Sequence, residues 1–487
     1  MHVCLIDGRH LLLPYLSFLL SANSSHDPAG ALNSIAMRRI IILWLCIQGA
    51  STIHAQQDLG VRNSHYAGIQ AALLNPAGME GQYNKWDVNV VSLGTLFDNN
   101  YLYIPKGAVP VLGFGAIIKG IKHQNKFVTH FNPANPDKRY HFILAGDVLG
   151  PSFQAKIAEG QTIGFAFRAR AYANINDFTG HVAQNAYDYM RNKILWNTPF
   201  HDNSTRIDGM AWLEYGVYYA ATIFKDSRGE LAVGVGLKYL QGLGAAYVKN
   251  TSLNYTVGDT TQLIFTQSNL DYGKTDYDSY RRRSGHRELT HGYGLGANIG
   301  ITYTRSPYKF GLSLIDAGAI RFNKNAAAFH LHADSANFTN WYTYNLTTNQ
   351  QVDRTISAAF YDGDSTRSHV GNSFKMGLPA ALSFQADWNC YDNFFVNATI
   401  IKGFGHGHRQ GVVQPDVYSI TPRYESKWLE LSIPFSVIYY GSWRPRLGFA
   451  ARAGYLFFGG DAPAGLFRLR NMYGTDFYIG VHFFSSK

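Results

Sequence analysis

Six basic residues, Arg168, Arg170, Lys238, Lys402, Arg446 and Arg452, sit in stretches where apolar residues recur at every second position. Residues i and i+2 of a strand share a face. The alternation therefore points these cations away from the apolar side. Two chemistries fit them: a basic lumen that favours anions or acidic head groups, or a structural network of inward ion pairs with Asp and Glu. His406 and His408 stand two apart at a strand end, a spacing that can share a metal. No carboxylate lies near them in sequence, and a polar glycine-rich turn is the other reading. Asp276 and Asp278 alternate as well, but calcium takes six to eight oxygens and no supporting ligand pattern surrounds them. Asp316 and Arg321 flank Ala317-Gly318-Ala319, which reads as a tight turn with a local ion pair, or as a docking motif for a protein partner. No Gly-x-Ser-x-Gly elbow is present, and Ser and His are scattered. No catalytic residue, metal or cofactor is expected. The net charge is +10 and the pI about 9.2. The basic residues are dispersed, however, and no nucleic-acid motif accompanies them.

The elements that hold these residues read as strands. Of 487 residues only 16% are charged and 15% are aromatic, which excludes disorder and a heptad coiled coil. A mean hydropathy of −0.15 excludes a bundle of membrane helices. In Gly292 to Thr304, Tyr293, Leu295, Ala297, Ile299, Ile301 and Tyr303 fall on one face, with Gly, Asn and Thr on the other. Aromatics bracket aliphatics on that face, the profile of a membrane strand. The pattern recurs around 163–171, 231–239, 429–439, 447–457 and 477–483. Each run is about 9–13 residues, enough to cross a bilayer when tilted. The expected fold is all-β: a transmembrane antiparallel barrel of about 14 strands. Residues 180–209, 247–290 and 321–372 are polar and read as long loops, with a short helix over Val182–Asn192.

Arg38-Arg39 followed by Ile40–Ile47 has the layout of a signal peptide over residues 37–55. Residues 1–36 then read as an upstream extension. Removal would take Cys4 and Cys46 and leave Cys390, so no intramolecular disulfide is expected. Residues 56–85 do not alternate. They suggest a short helix stopped at Asn75-Pro76, because the residue before proline is pushed out of the α region. Residues 86–487 are then the barrel.

The Asn75-Pro76-Ala77-Gly78 turn just ahead of the first strand resembles the N-terminal hatch of the long-chain fatty-acid transporter family. It is also similar to the porin-V-type barrels of the Bacteroidota type IX secretion system. Closer still is a likeness to an uncharacterised family of Bacteroidota outer-membrane barrels. That likeness rests on Asn75-Pro76-Ala77, on Gly311 to Arg321 (GLSLIDAGAIR), on Thr421-Pro422-Arg423-Tyr424-Glu425, and on Gly474 to Gly480 (GTDFYIG). The resemblance implies an outer-membrane barrel with an N-terminal plug, and it marks Asn75, Pro76 and Ala77 as the gate. It implies a non-enzymatic role: passing or binding a hydrophobic or amphipathic small molecule, or partnering a periplasmic or secretion-system protein in export or surface attachment. Outer-membrane lipid is the expected surrounding and nucleic acid is not an expected partner.

Overall fold

A computed structural model of the chain describes residues 58–106, 108, 128–135, 137–188, 190–259, 262–275, 289–339, 368–404, 410–461 and 471–486. The candidate signal peptide and upstream stretch, Asp276, Asp278, His406 and His408 lie outside the described residues.

Among the described residues, sixteen strands longer than four residues, counting interrupted ones once, form one antiparallel sheet. They are β1 Asn84–Asn99, β2 Arg139–Leu149 continued by Ser152–Ala158, β3 Gln161–Thr179, β4 Arg206–Asp226 and β5 Gly229–Val257. Next come β6 Gln262–Thr275, β7 Gly292–Arg305, β8 Tyr308–Phe322, β9 Ala326–Thr339 and β10 Phe374–Gly377 continued by Ala381–Tyr391. The last are β11 Phe394–Gly403, β12 Asp416–Glu425, β13 Leu429–Ser432 continued by Phe435–Tyr439, β14 Trp443–Leu447 continued by Phe449–Ala453, β15 Leu456–Gly460 and β16 Gly474–Ser486. β1 pairs with β2 on one side and with β16 on the other, from Asn84↔Ser486 to Asp98↔Gly474, which closes the ring. Closure leaves no free sheet edge.

The alternation sets which way each side chain points. Leu237, Leu295, Ile299, Leu312, Phe384, Ile400 and Ile420 are exposed on the outside, flanked by Trp86, Tyr293, Tyr303, Tyr308, Trp388 and Trp443. Their neighbours in sequence are buried and mostly polar or small. A continuous apolar belt of this kind is foreign to a water-soluble monomer. At one end of the barrel the strands join by short turns, at Glu159-Gly160, Ser227-Arg228, Ser306-Pro307, Asp392-Asn393 and Gly454-Tyr455. The connections at the other end are mostly longer, though residues 323–325 and 440–442 there are short as well.

The sheet has more strands than the fourteen expected. Residues 247–290 and 321–372 are not wholly loops: the first holds the end of β5 and β6, the second holds the end of β8 and β9. β5 is 29 residues long. Its first half pairs with β7, from Thr304↔Glu230 to Gly292↔Gly242. Its second half pairs with β6, and β6 pairs with β9. This upper part stands beyond the apolar belt on the long-loop side, where Thr266, Gln267, Asp334, Ser335 and Asn337 are exposed. Its apolar residues, Phe329, Leu331 and Ala333 among them, are the buried ones and alternate with polar His330, His332 and Asp334, so the exposed apolar face that marks the other strands is missing. The helix expected over Val182–Asn192 runs instead over Gly180–Asp188. Asp316 and Arg321 do not form a turn. Both lie within β8, where Asp316 takes φ 54° at an irregularity opposite β7 and points into the ring.

Residues 58–83 lie inside the ring. Two short helices, α1 Leu59–Arg62 and α2 Gln70–Leu74, are followed by a 3-10 turn at Pro76–Met79. The α2 helix ends as expected at Asn75, which is extended, and the Asn75 side chain accepts from the Ala77 N–H at 3.1 Å. Proline at the first position of the turn needs no N–H partner.

Candidate functional site

The inward faces of β3, β5 and β8 carry the same order of side chains from the short-turn end upward. Gly164, Gly234 and Gly311 come first, against residues 69–79. Arg168 and Arg170, Lys238, and Asp316 come next. Tyr172, Leu240, and Ile320 with Phe322 come last. The lumen is therefore stacked in three layers: the N-terminal segment, a charged layer and an apolar layer.

The N-terminal segment is tied to the wall all round. Ser432 Oγ donates to the Gly60 carbonyl at 2.8 Å, and Ser64 Oγ donates to Glu430 at 2.8 Å. His65 Nδ1 lies 2.9 Å from Glu425, whose partner Arg423 also holds Asp387 through two bonds of 2.7 and 2.8 Å. The Arg452 guanidinium sits 4.7 Å over the Tyr66 ring. Asn63 reaches Thr399 at 3.1 Å and Gln70 reaches Ser92 at 3.3 Å. Ser313 Oγ donates to the Leu74 carbonyl at 2.6 Å. Asn75 Nδ2 donates to the Ile301 carbonyl at 3.1 Å and to Gln385 at 3.0 Å. Burial pushes the Asp58 carboxyl above its usual range, against the pull of its partner Arg62 at 2.9 Å.

The turn expected to be the gate, Asn75-Pro76-Ala77, rests in a cradle of glycines. A Cβ on Gly234 would collide with the Pro76–Ala77 backbone. One on Gly300 would collide with the Asn75 amide oxygen, and one on Gly311 would crowd the Asn75 nitrogen. Three adjacent strands therefore leave room for one turn. The glycine alternation is visible in the sequence, but its purpose depends on which strands become neighbours.

The charged layer joins the basic residues singled out from the sequence to acids that were not. Arg168 pairs with Asp147 and, at 3.1 Å, with Glu214. Arg170 pairs with Glu214 at 3.2 Å and with Asp316 at 2.8 Å. Lys238 Nζ lies 3.1 Å from Glu214 and 2.5 Å from Asp316. Three cations face three carboxylates, all buried. Arg446 pairs with Asp98 and with Asp476 at 3.0 Å, and Arg452 with Glu430 at 3.2 Å. These five fall on the inward face. Lys402 does not: it is 58% exposed beside the buried Asp416, and its neighbour Ile401 takes the inward position in the apolar cluster. The layer is thus a paired network rather than an open basic lumen.

Above it, Tyr172, Met210, Trp212, Leu240, Ile320, Phe322, Met376 and Tyr440 form one buried cluster. Residues 410–415, just ahead of β12, fold down onto it. Val412 and Val413 are buried there, and Asn174 grips the Val413 backbone by donating to its carbonyl at 3.2 Å and accepting from its N–H at 3.0 Å. Two cavities border the N-terminal segment. One of about 50 Å³ is lined by Asn75, Lys309, Gln385 and Asp387, and one of about 30 Å³ by Arg62, Leu74, Arg168, Arg170 and Asp316. Each has room on the order of a water molecule or two. Among the described residues, no group of three or more His, Cys, Asp or Glu side chains is arranged to hold a metal.

No curated protein matches the chain. Among solved structures it is similar to the Pseudomonas putida toluene transporter TodX, with 9% identity over 87% of this chain and 94% of that one and a TM-score of 0.41. It is also similar to a Pseudomonas aeruginosa FadL homologue, with 9% identity over 88% and 97% and a TM-score of 0.42. The Ralstonia pickettii toluene transporter TbuX gives 10% identity over 86% and 93% and a TM-score of 0.38. A family model matches residues 112–461, most of the chain. The chain belongs to that family, DUF5723, a family of unknown function.

Proposed function

We propose that this chain is an outer-membrane barrel that binds or passes a hydrophobic or amphipathic small molecule. Residues 58–83 are its plug and Asn75-Pro76-Ala77 the gate. The apolar layer carries the reading. A barrel interior serving water-soluble solutes is polar throughout. Here Trp212, Phe322, Met210 and Met376 gather beneath the long-loop mouth instead, above the charged layer and the N-terminal segment held mainly by hydrogen bonds and ion pairs. Apolar walls with a few placed polar groups, Asn174 and Tyr440 among them, are what a small hydrophobic ligand needs.

The wall beside the plug supports a way out. β2 is interrupted at Gly150-Pro151, and proline removes a ladder donor. Asn89 on β1 donates to the Leu149 and Gly150 carbonyls at 3.1 and 3.0 Å. Ser92 donates to Asn89 at 2.5 Å, and Gln70 of the plug donates to Ser92. Movement of α2 therefore pulls on the interrupted strand.

Deletion of residues 58–80 tests the reading. In planar bilayers the deleted barrel is expected to raise conductance several-fold, and in vesicles to speed uptake of a fluorescent amphiphile. Its folded state is checked by heat-modifiable mobility on gels. Unchanged conductance and uptake in a folded deletion variant would overturn the gate assignment.

A further inference from the structure

The upper part of the barrel carries a pair of histidines that the lumen does not use. His330 on β9 stands directly opposite His369 on the short strand His369–Gly371 and directly opposite Asp271 on β6. The three residues form a row across three strands. The two imidazole rings stack with centroids 4.5 Å apart and 21° between planes. His330 Nδ1 lies 3.0 Å from Asp271 Oδ1. The His330 and Asp271 side chains are 41% and 30% exposed, and His369 is exposed.

Chemistry fixes the tautomer. An ionised carboxylate only accepts hydrogen bonds, so Nδ1 of His330 carries a proton, and in the neutral ring that binds a metal Nε2 presents its lone pair. A carboxylate on the far nitrogen is the usual second partner of a metal-binding histidine, orienting the ring and raising its basicity. Cross-strand neighbours have Cβ atoms about 4.5–5.5 Å apart. Two imidazole nitrogens on one cation, at about 2.0–2.1 Å each, sit about 3.3 Å from one another. A small hinge of the stacked rings into a V reaches that separation.

We infer that His330 and His369 form a two-histidine site for a borderline divalent cation such as Zn²⁺, Ni²⁺ or Cu²⁺, with Asp271 as the positioning residue. Water completes the coordination. Imidazole is the ligand these ions prefer over carboxylate and carbonyl oxygen, and Cu²⁺ should bind more tightly than Ni²⁺ or Zn²⁺. The bound ion ties the three-residue strand His369–Gly371 to β9, a contact otherwise held by a short stretch of ladder.

Isothermal titration of the untagged, detergent-folded barrel with ZnCl₂, and separately with NiCl₂, tests this. One ion per chain is expected to bind. His330→Ala and His369→Ala should each weaken binding by tenfold or more, and Asp271→Asn by about tenfold. His201→Ala, on another part of the upper sheet, should leave it unchanged. Heat-modifiable mobility confirms that each variant is folded. Absence of binding up to millimolar metal overturns the proposal. So does a folded His330→Ala/His369→Ala variant that keeps the wild-type affinity and stoichiometry, because the ion then sits on other histidines.

Discussion

Lys238 is the residue on which the charged layer balances. It touches both Glu214 and Asp316, and it is fully buried. Removing one partner from a buried ion pair leaves an uncompensated charge and costs about 3–5 kcal/mol. Lys238→Met is therefore expected to lower the unfolding free energy of the barrel, read from urea unfolding, by an amount in that range. Lys238→Arg, which keeps the charge, should lose less. Gly234 tests the cradle instead of the charge. Gly234→Val drives a side chain into the Pro76–Ala77 backbone, so the turn must lift. Single-channel recordings should show a leak several-fold above wild type with little change in barrel stability. At this scale the sequence was half legible. Alternation turned Arg168, Arg170, Lys238, Arg446 and Arg452 inward, because facing is a local property of a strand. Their partners were hidden, because Arg170 meets Asp316 across 146 residues of chain, and only strand order brings the two together. Asp316 was misread for a related reason: Ala-Gly-Ala after an aspartate looks like a turn until β8 is seen to run through it.

Among the elements, the strands inside the apolar belt were the easy ones. Their outward face is chosen by one solvent and their inward face by another, so the period of two is strong. β6 and β9 rise past the belt, where the apolar face (Phe329, Leu331 and Ala333 on β9) is buried and the exposed face is polar, so the aromatic-bracketed apolar band of a membrane strand is missing. They read as loops although they are regular strands. Pro434 in β13 and Pro151 in β2 sit at interruptions, since neither can donate to the ladder, but the alternation over 429–439 runs through the first unbroken, and Pro422 and Pro445 lie within continuous strands. The interruption at Pro151 is closed by the Asn89 amide. Asn89→Leu leaves two buried carbonyls without that donor, at a cost of about 1–3 kcal/mol for each unsatisfied group. Hydrogen exchange across residues 148–154 should quicken, while exchange in β7 and β8 on the other side of the ring should not change.

For the whole molecule, the belt decides where it sits. Ile299 is 55% exposed near the middle of β7. Ile299→Arg in the proposed bilayer should destabilise the barrel by about 2–4 kcal/mol, measured by unfolding from lipid vesicles. Thr266→Arg, on the upper sheet, should change stability by less than about 0.5 kcal/mol. The barrel fold was legible because solvent writes itself on every outward position, whereas the stacking of the lumen depends on contacts between distant strands. The closing seam between β1 and β16 has one more consequence, which concerns order in time. The ring cannot shut until residues 474–486 have arrived beside residues 84–99, with His482 meeting Asp87 across the seam at 2.6 Å. Residues 58–83 leave the ribosome before any strand, yet their partners Glu425, Glu430 and Ser432 come near the far end of the chain. These contacts can form only once the far end of the chain is in place, so the docking of residues 58–83 and the shutting of the seam fall together, late in folding.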